Sequence, residues 1–354
     1  MIYLIQLVPH TNVRYRLEQT ELTLRELRCM LASLAPSYPD DHLLDASLSS
    51  VMLLGAPFLR LETSAALPEG ILSPLSGLSS ILMIFEEQSP LLRPVLGRLP
   101  LYLTEDLPDV LKYKGKTNVT FTELMINVGL SAAGLLEASR PLTVLDPLCG
   151  RGTTLFCALM RGMNSVGLDA QKSAIEDADA YLQRYFALHH FKHRRQDTSV
   201  TIPQGQKNRG QRCISYTAAA DKEAFLQDDT RFLRLIPGDT ALSGPLLSRK
   251  KDQVDLLVSD LPYGVQHAPK DGQGGNVMLE SIEGMLRRAL PQWLQALRKG
   301  GSCTLSFNTY TLRREKLVSL MSEAGFQVLG EPYEQFTHEV EQAVRRDVVT
   351  ALKP

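Results

Sequence analysis

The chain has 354 residues, 44% of them apolar, and a formal net charge of -1. That length allows two domains or one large one with additions, and the charge balance excludes a globally basic nucleic-acid binder, leaving local patches for any such contact. Five cysteines without a Cys-x-x-Cys pair argue against a disulfide framework or a Cys-rich zinc site and fit a reducing, cytoplasmic setting.

The opening run 1–8 is apolar but too short to span a bilayer. It lacks a basic lead and a small-residue cleavage site, so it reads as a first strand at 2–8 and not a signal peptide, with no membrane partner. A helical run covers 17–34, with apolar residues at Leu17, Leu24, Leu27 and Leu31. Short apolar runs at 51–54 and 81–85 lie between Pro/Gly/Ser breakers such as 68–80. Residues 1–110 therefore read as a small α+β domain that presents a substrate, with 97–108 as a linker.

From 111 to 354 apolar strands alternate with helices. Strands are expected at 142–145, 165–168, 232–236, 254–259, 302–307, 326–329 and 344–350, and helices at 153–161, 172–188, 278–297 and 313–324. This alternation specifies a Rossmann-like α/β domain, a mostly parallel seven-stranded sheet covered on both faces. The last two strands leave no room for a crossover helix and should pair antiparallel at one edge. The segment 189–213 breaks the pattern. It carries Lys192, Arg194, Arg195, Lys207, Arg209 and Arg212 against the single acid Asp197. It reads as a basic flexible insert, either a solvated surface loop or an arm that tracks phosphates.

Two strand ends carry the chemistry. The first is Asp146-Pro147-Leu148-Cys149-Gly150-Arg151-Gly152-Thr153. Gly150 and Gly152 permit positive φ and close approach of backbone to a ligand. The helix that Thr153 opens offers free N–H groups to an anion. A dinucleotide fingerprint would require a third glycine where Leu155 stands, which disfavours a nicotinamide-dependent oxidoreductase. An acid before the glycines and Thr after them fits S-adenosylmethionine, whose ammonium would meet Asp146 and whose carboxylate would meet loop amides. Cys149 reads as a small turn residue. Asp169, at the end of the next strand, is placed to accept from both ribose hydroxyls, and Asp239, after the strand beyond, could meet the adenine amine. Acids at successive strand ends point to one ligand, because open parallel sheets bind ligands there.

The second motif is Asp260-Leu261-Pro262-Tyr263. An exocyclic amine on a heterocycle is a poor nucleophile because its lone pair is delocalised. Asp260 and the Leu261 carbonyl would accept its two N–H groups and aim the lone pair. Pro262 fixes the backbone, and Tyr263 offers a face for the base to stack on. Pre-set acceptors and alignment carry most of such a catalysis.

Asp146–Thr153, Asp169, Asp239 and the run 260–264, in that order, resemble class I S-adenosylmethionine-dependent methyltransferases of the amino-methylating kind. Leu261 and Gly264, with the lead-in Tyr113-Lys114-Gly115-Lys116-Thr117-Asn118, the helix 121–128 and the closing Val344-Arg345-Arg346-Asp347-Val348-Val349, are similar to the tRNA guanosine-N2 methyltransferases of the guanine-10 type. The resemblance covers about 112–354. It implies methyl transfer to guanosine N2 in RNA, with tRNA as partner, and gives Thr117 and Asn118 a place around the methionine end of the cofactor. Residues 1–110 show no match to the RNA-binding THUMP domain of those relatives.

The alternatives are a DNA adenine-N6 or cytosine-N4 methyltransferase, which more often carries Pro where Leu261 stands, and a non-catalytic RNA-binding scaffold. Trp293 reads as a core residue. His189, His190 and His193 have no Cys or acid at ligand spacing, so no metal is expected. Gln266 and His267 could touch the base, and Lys114 and Lys116 a phosphate.

Overall fold

The computed structural model describes residues 1–9, 13–111, 116–204, 207–263, 281–341 and 343–354. In chain order, β1 (Ile2–Leu7) leads into α1 (Val13–Leu34), the hairpin β2 (Ser47–Leu53) and β3 (Ala56–Glu62), α2 (Glu69–Leu75), and the hairpin β4 (Ile81–Gln88) and β5 (Leu91–Gly97). These strands form one antiparallel sheet in the order β2-β3-β1-β4-β5. Alternate residues of β1 (Tyr3, Ile5, Leu7) face α1 and α2, where Leu24, Leu27, Leu31, Ile71 and Leu75 complete one core. Period two on the strand and period 3.6 on the helices make this packing possible.

Two expectations for this part change. The 68–80 stretch holds α2, because Ile71, Leu72 and Leu75 share a buried face and tertiary burial overrides Pro74 and the local breakers. The supposed linker 97–108 is packed: Leu103 and Leu107 are buried in one cluster with Phe156, Leu159, Tyr181 and Tyr185, and the Tyr102 amide donates to the Met160 carbonyl at 2.8 Å.

The second part runs α3 (Val119–Ala132), β6 (Thr143–Asp146), α4 (Thr153–Met160), β7 (Asn164–Asp169), α5 (Lys172–Leu188), β8 (His193–Gln204), β9 (Lys207–Ala218), α6 (Lys222–Leu226), β10 (Arg231–Pro237), α7 (Ser243–Leu247), β11 (Val254–Asp260), α8 (Ile282–Ala296), β12 (Leu297–Asn308), α9 (Arg314–Glu323), β13 (Gln327–Val328), β14 (His338–Glu341) and β15 (Val344–Leu352). Its strands form a single sheet in the order β13-β15-β12-β11-β6-β7-β10-β9-β8, with β14 added on β15. The pairs β12–β11, β11–β6, β6–β7 and β7–β10 are parallel. The expected antiparallel pairing of the last two strands is present, with Gln327 opposite Leu352, and β15 also pairs antiparallel with β12. The fold is thus α/β and Rossmann-like. The strand order reverses between β6 and β11, and that switch point is where such sheets bind ligands.

The sheet is larger than the seven strands expected, because 189–213 is no flexible loop. Residues 193–204 and 207–218 pair antiparallel, β8 with β9, and extend the sheet beyond β10. The strand signal lies in Cys213, Ile214, Tyr216 and Ala218, all buried, and the charges obscure it. Two of the arginines are structural. Arg195 makes a paired contact with Asp179 at 2.9 and 2.8 Å, and Arg212 with Asp197 at 3.0 and 2.7 Å. Arg194 is exposed.

Helix α3 lies at the centre. Most of its residues are buried, and the Asn118 side chain caps it by accepting from the Phe121 amide at 3.0 Å. Buried Glu26 of α1 links the two sheets through α3. It accepts from the Ser79 amide at 2.9 Å, the Ser79 hydroxyl at 2.6 Å and Asn127 Nδ2. Trp293 is fully buried and donates from Nε1 to Thr240 at 2.9 Å, as a core residue should. No helix among the described residues is long and apolar enough to cross a membrane.

Candidate active site

Asp146 ends β6, where its four residues are all buried. Its Oδ1 accepts from the Leu148 amide at 3.1 Å and from the Ser259 hydroxyl of β11 at 2.7 Å. Burial pushes its pKa up to about 6, against the opposing hydrogen bonds from Ser259, Thr154 and Leu148. This carboxyl is held out of water and short of countercharge, which primes it for a cationic ligand group.

The loop after Asp146 is tight. Gly150 and Gly152 have φ of 51° and 93°, the left-handed region that a side chain would strain. Pro147 is buried. The Cys149 amide donates to the Leu168 carbonyl at 2.9 Å and the Gly152 amide to the Cys149 carbonyl at 2.8 Å. Burial pushes the Cys149 thiol well up, so Cys149 is a turn residue and not a nucleophile. Thr153 is buried at the start of α4. Gly167 of β7 faces the loop from below, where a Cβ would lie 2.4 Å from Leu155 Cδ1 and 2.8 Å from Cys149 Sγ. That glycine lets the loop sit directly on the strand.

Asp169 ends β7 beside this loop. One oxygen accepts from the Gly150 amide and the other from the Gln171 amide, each at 2.8 Å. The carboxylate therefore fixes the glycine turn. Asp239 lies after β10. Its Oδ1 accepts from the Ala241 amide at 2.8 Å, capping a short 3-10 turn, and meets Arg288 Nη1 of α8 at 2.5 Å. Burial works against its ionisation, but the Arg288 and Ala241 bonds outweigh it and hold the pKa below the ordinary carboxylate value. Asp239 thus serves as cap and ion-pair partner, one residue past Gly238, whose amide donates to the Asp169 carbonyl at 2.8 Å.

Asp260 ends β11, across the switch point from Asp146. The Leu261 side chain is buried and its amide donates to the Ser306 carbonyl of β12 at 2.8 Å, which anchors the Leu261-Pro262 backbone. Asp260 accepts from Ser306 Oγ at 2.9 Å and from Thr117 Oγ1 at 2.8 Å. The Tyr263 hydroxyl donates to both carboxylate oxygens, at 2.8 and 2.7 Å. Burial and the Asp260 charge push the Tyr263 hydroxyl well up, so it stays a neutral donor. Thr117 is thus brought to the acid of the second motif, and Asn118 to the cap of α3.

Sequence reasoning missed three side chains here. Ser259 ties the two motifs together, Ser306 supports Asp260, and Arg346 of β15 contacts Asp260 and Tyr263. Arg346 had a signal: with Asp347 it interrupts an apolar strand, and a charge in a buried strand demands a partner. His189 stacks on Tyr185 with ring centroids 4.2 Å apart and His193 lies against Phe186. Among the described residues no group of His, Cys, Asp or Glu gathers as metal ligands would. Gly264, Gln266 and His267, with Tyr113, Lys114 and Gly115, lie outside the described residues.

No family model matches the chain, and no curated protein matches it. Solved structures do. A SAM-dependent methyltransferase from Agrobacterium tumefaciens is 15% identical, covering 76% of each chain with a TM-score of 0.41. A protein from Pyrococcus horikoshii described as a candidate RNA methyltransferase is 13% identical over 70% of this chain and 94% of its own, with a TM-score of 0.38. Magnesium protoporphyrin IX methyltransferase from Synechocystis, crystallised with SAM, is 12% identical over 68% of this chain and 87% of its own, with a TM-score of 0.35.

Proposed function

We propose that the chain binds S-adenosylmethionine and transfers its methyl group to the exocyclic N2 amine of a guanosine in RNA, with tRNA as the substrate. The observation that carries this reading is the Ser259–Asp146 hydrogen bond, 2.7 Å long across the switch point. It joins a glycine loop suited to an amino-acid-bearing nucleoside to a strand end suited to an amine, one strand apart.

The donor set fits the cofactor. Buried Asp146 would take the ammonium, the Gly150–Thr153 turn and the start of α4 the carboxylate, and Asp169 the ribose hydroxyls. When bound, S-adenosylmethionine would supply an electrophilic methyl group and leave as the neutral thioether S-adenosylhomocysteine, and the proton lost from nitrogen would pass to Asp260 and on to water. On the acceptor side Asp260 and the Leu261 carbonyl accept the amine's two N–H groups. Drawing those hydrogens into fixed acceptors turns the nitrogen lone pair out of the ring, toward the donor side. Ser306 and Thr117 hold the carboxylate still, so no reorganisation is needed as charge develops on nitrogen. The target base must leave its stack to reach this corner.

Residues 1–110 would present the RNA, aided by exposed basic residues such as Lys192, just before β8, and Arg194 of β8. Leu261, followed by Gly264, favours guanosine over the amines of DNA bases through the resemblance described above. Nucleoside mass spectrometry of tRNA from cells with and without the gene tests the proposal. Loss of N2-methylguanosine is expected, and an unchanged modification profile refutes it.

A further inference from the structure

The acceptor corner is filled by the chain itself. Asp260 Oδ1 accepts from Ser306 Oγ (2.9 Å) and the Tyr263 hydroxyl (2.8 Å). Its Oδ2 accepts from Thr117 Oγ1 (2.8 Å), the same Tyr263 hydroxyl (2.7 Å) and Arg346 Nη2 (3.1 Å). A carboxylate has about four lone-pair directions, so four side chains leave none for an incoming amine.

The four differ in kind. Ser306 stands on the buried strand β12 and Thr117 just before the cap of α3, so both belong to the frame. Arg346 reaches in from the neighbouring strand β15 on a long side chain and is bonded to Tyr263 as well as to Asp260. Arg346 Nε donates to the Tyr263 hydroxyl. The guanidinium lies over the Tyr263 ring at 5.4 Å and over Phe121 at 5.0 Å, and only 5% of the Arg346 side chain is exposed.

A guanidinium is a planar carbon bearing three nitrogens. The C2 atom of guanine is likewise bonded to N1, N2 and N3, so the edge that carries the target amine is itself a guanidine fragment. Arg346 holds such a fragment with one N–H on Asp260, another on the Tyr263 hydroxyl and its carbon 5.4 Å from the centre of the Tyr263 ring. It occupies the place the proposed reaction requires of guanine.

We propose that Arg346 is an intramolecular stand-in for the acceptor base. It closes the site in the substrate-free protein, and a planar heterocycle with an amine beside a ring nitrogen binds by taking its place against Asp260 and Tyr263. The inference rests on reading Asp260 as the amine acceptor and adds the group that competes for it. The exchange has an electrostatic consequence. With Arg346 in place the carboxylate is paired with a cation; with a neutral base in place it faces the amine nitrogen uncompensated, as a nitrogen that gains positive charge requires. The carboxylate is thereby screened until an acceptor is present.

The test uses guanidinium chloride as the probe, at up to about 20 mM, far below the molar range in which it unfolds proteins. Calorimetry should show saturable uptake by Arg346→Ala at least about tenfold tighter than by the wild type, because the guanidinium fork restores the removed group. Uptake should vanish in the Asp260→Asn, Arg346→Ala double variant. Equal uptake by wild type and Arg346→Ala, or uptake surviving in the double variant, overturns the proposal. Should Arg346→Ala lose its circular-dichroism signature, Tyr263→Phe gives the second reading. It keeps the ring face but releases Arg346 and the single hydroxyl hydrogen shared by the two Asp260 oxygens. Guanosine monophosphate should then bind at least about threefold tighter than to the wild type, and unchanged or weaker binding overturns the exchange. These assays read occupancy and not transfer. A protein that passes them yet methylates no RNA keeps this inference and loses the function proposed above.

Discussion

Asp146→Asn should flatten the pH dependence of stability and, in the same variant, weaken cofactor binding. In the folded chain burial raises the Asp146 pKa from 3.8 to about 6. The native state therefore holds this proton more tightly than the unfolded state does. The resulting stabilisation is fully present below about pH 4 and is lost as pH rises through about 6. At about 1.4 kcal/mol per pH unit, the gap between 3.8 and about 6 makes the ionised carboxylate cost about 3 kcal/mol at pH 8. Asparagine is isosteric and neutral. Its single oxygen can keep both the Leu148 and Ser259 bonds, since both fall on Oδ1. The variant should thus match the wild type near pH 4 and exceed it by up to about 3 kcal/mol at about pH 8. Urea unfolding followed by circular dichroism across that range measures the difference. Parallel stability curves for the two proteins would refute the reasoning. Affinity should move the other way, because an ammonium needs the carboxylate. Calorimetric affinity of the wild type for S-adenosylmethionine should fall about tenfold per pH unit below about 6, while the variant binds weakly at every pH.

Three further outcomes follow from the same geometry. Asp260→Ala should abolish turnover and leave cofactor affinity within a few fold, whereas Asp169→Ala should weaken cofactor binding by about 1–3 kcal/mol as the Gly150 and Gln171 amides lose their acceptor. Equal loss of both properties in both variants would sink the division of roles. Gly167→Ala should destabilise the fold by about 1–3 kcal/mol and weaken cofactor binding, since its Cβ meets Leu155 and Cys149 beneath the loop; a thermal midpoint and affinity equal to wild type would contradict this. On β8, Arg194→Ala should lower the slope of RNA affinity against salt by about 1 without changing the melting temperature. Arg195→Ala should instead lower the melting temperature, because it strips buried Asp179 of its paired contact. The opposite assignment of the two effects would show that the wrong arginine faces the RNA.

Much of this architecture was legible in the sequence because the parallel strands are apolar on both faces. Runs such as 254–259 need no partner information to be recognised, and an acid at or just past the end of four of the five parallel strands (Asp146, Asp169, Asp239 and Asp260) marks the ligand edge. Three kinds of feature were not legible. The β8–β9 pair hides behind its arginines, since a charge count cannot tell Arg195, clamped to Asp179, from exposed Arg194. Helix α2 depends on a core that only the tertiary structure supplies. In the site, the capping bonds of Asp239 and Asn118 and the bond from Thr117 to Asp260 depend on tertiary geometry. Arg346 lies in β15, 86 residues beyond Asp260 in the chain. Only the insertion of β15 next to β12 brings the two together, and no local pattern specifies that contact.

The central claim is methyl transfer to the N2 amine of guanosine in RNA. Purified protein incubated with tRNA and S-adenosylmethionine carrying a deuterated methyl group, followed by nucleoside mass spectrometry, tests it most directly. The label should appear in N2-methylguanosine with the wild type and be absent with Asp260→Ala. Label on adenosine or cytidine, or no label in RNA from a protein that binds the cofactor, would contradict it.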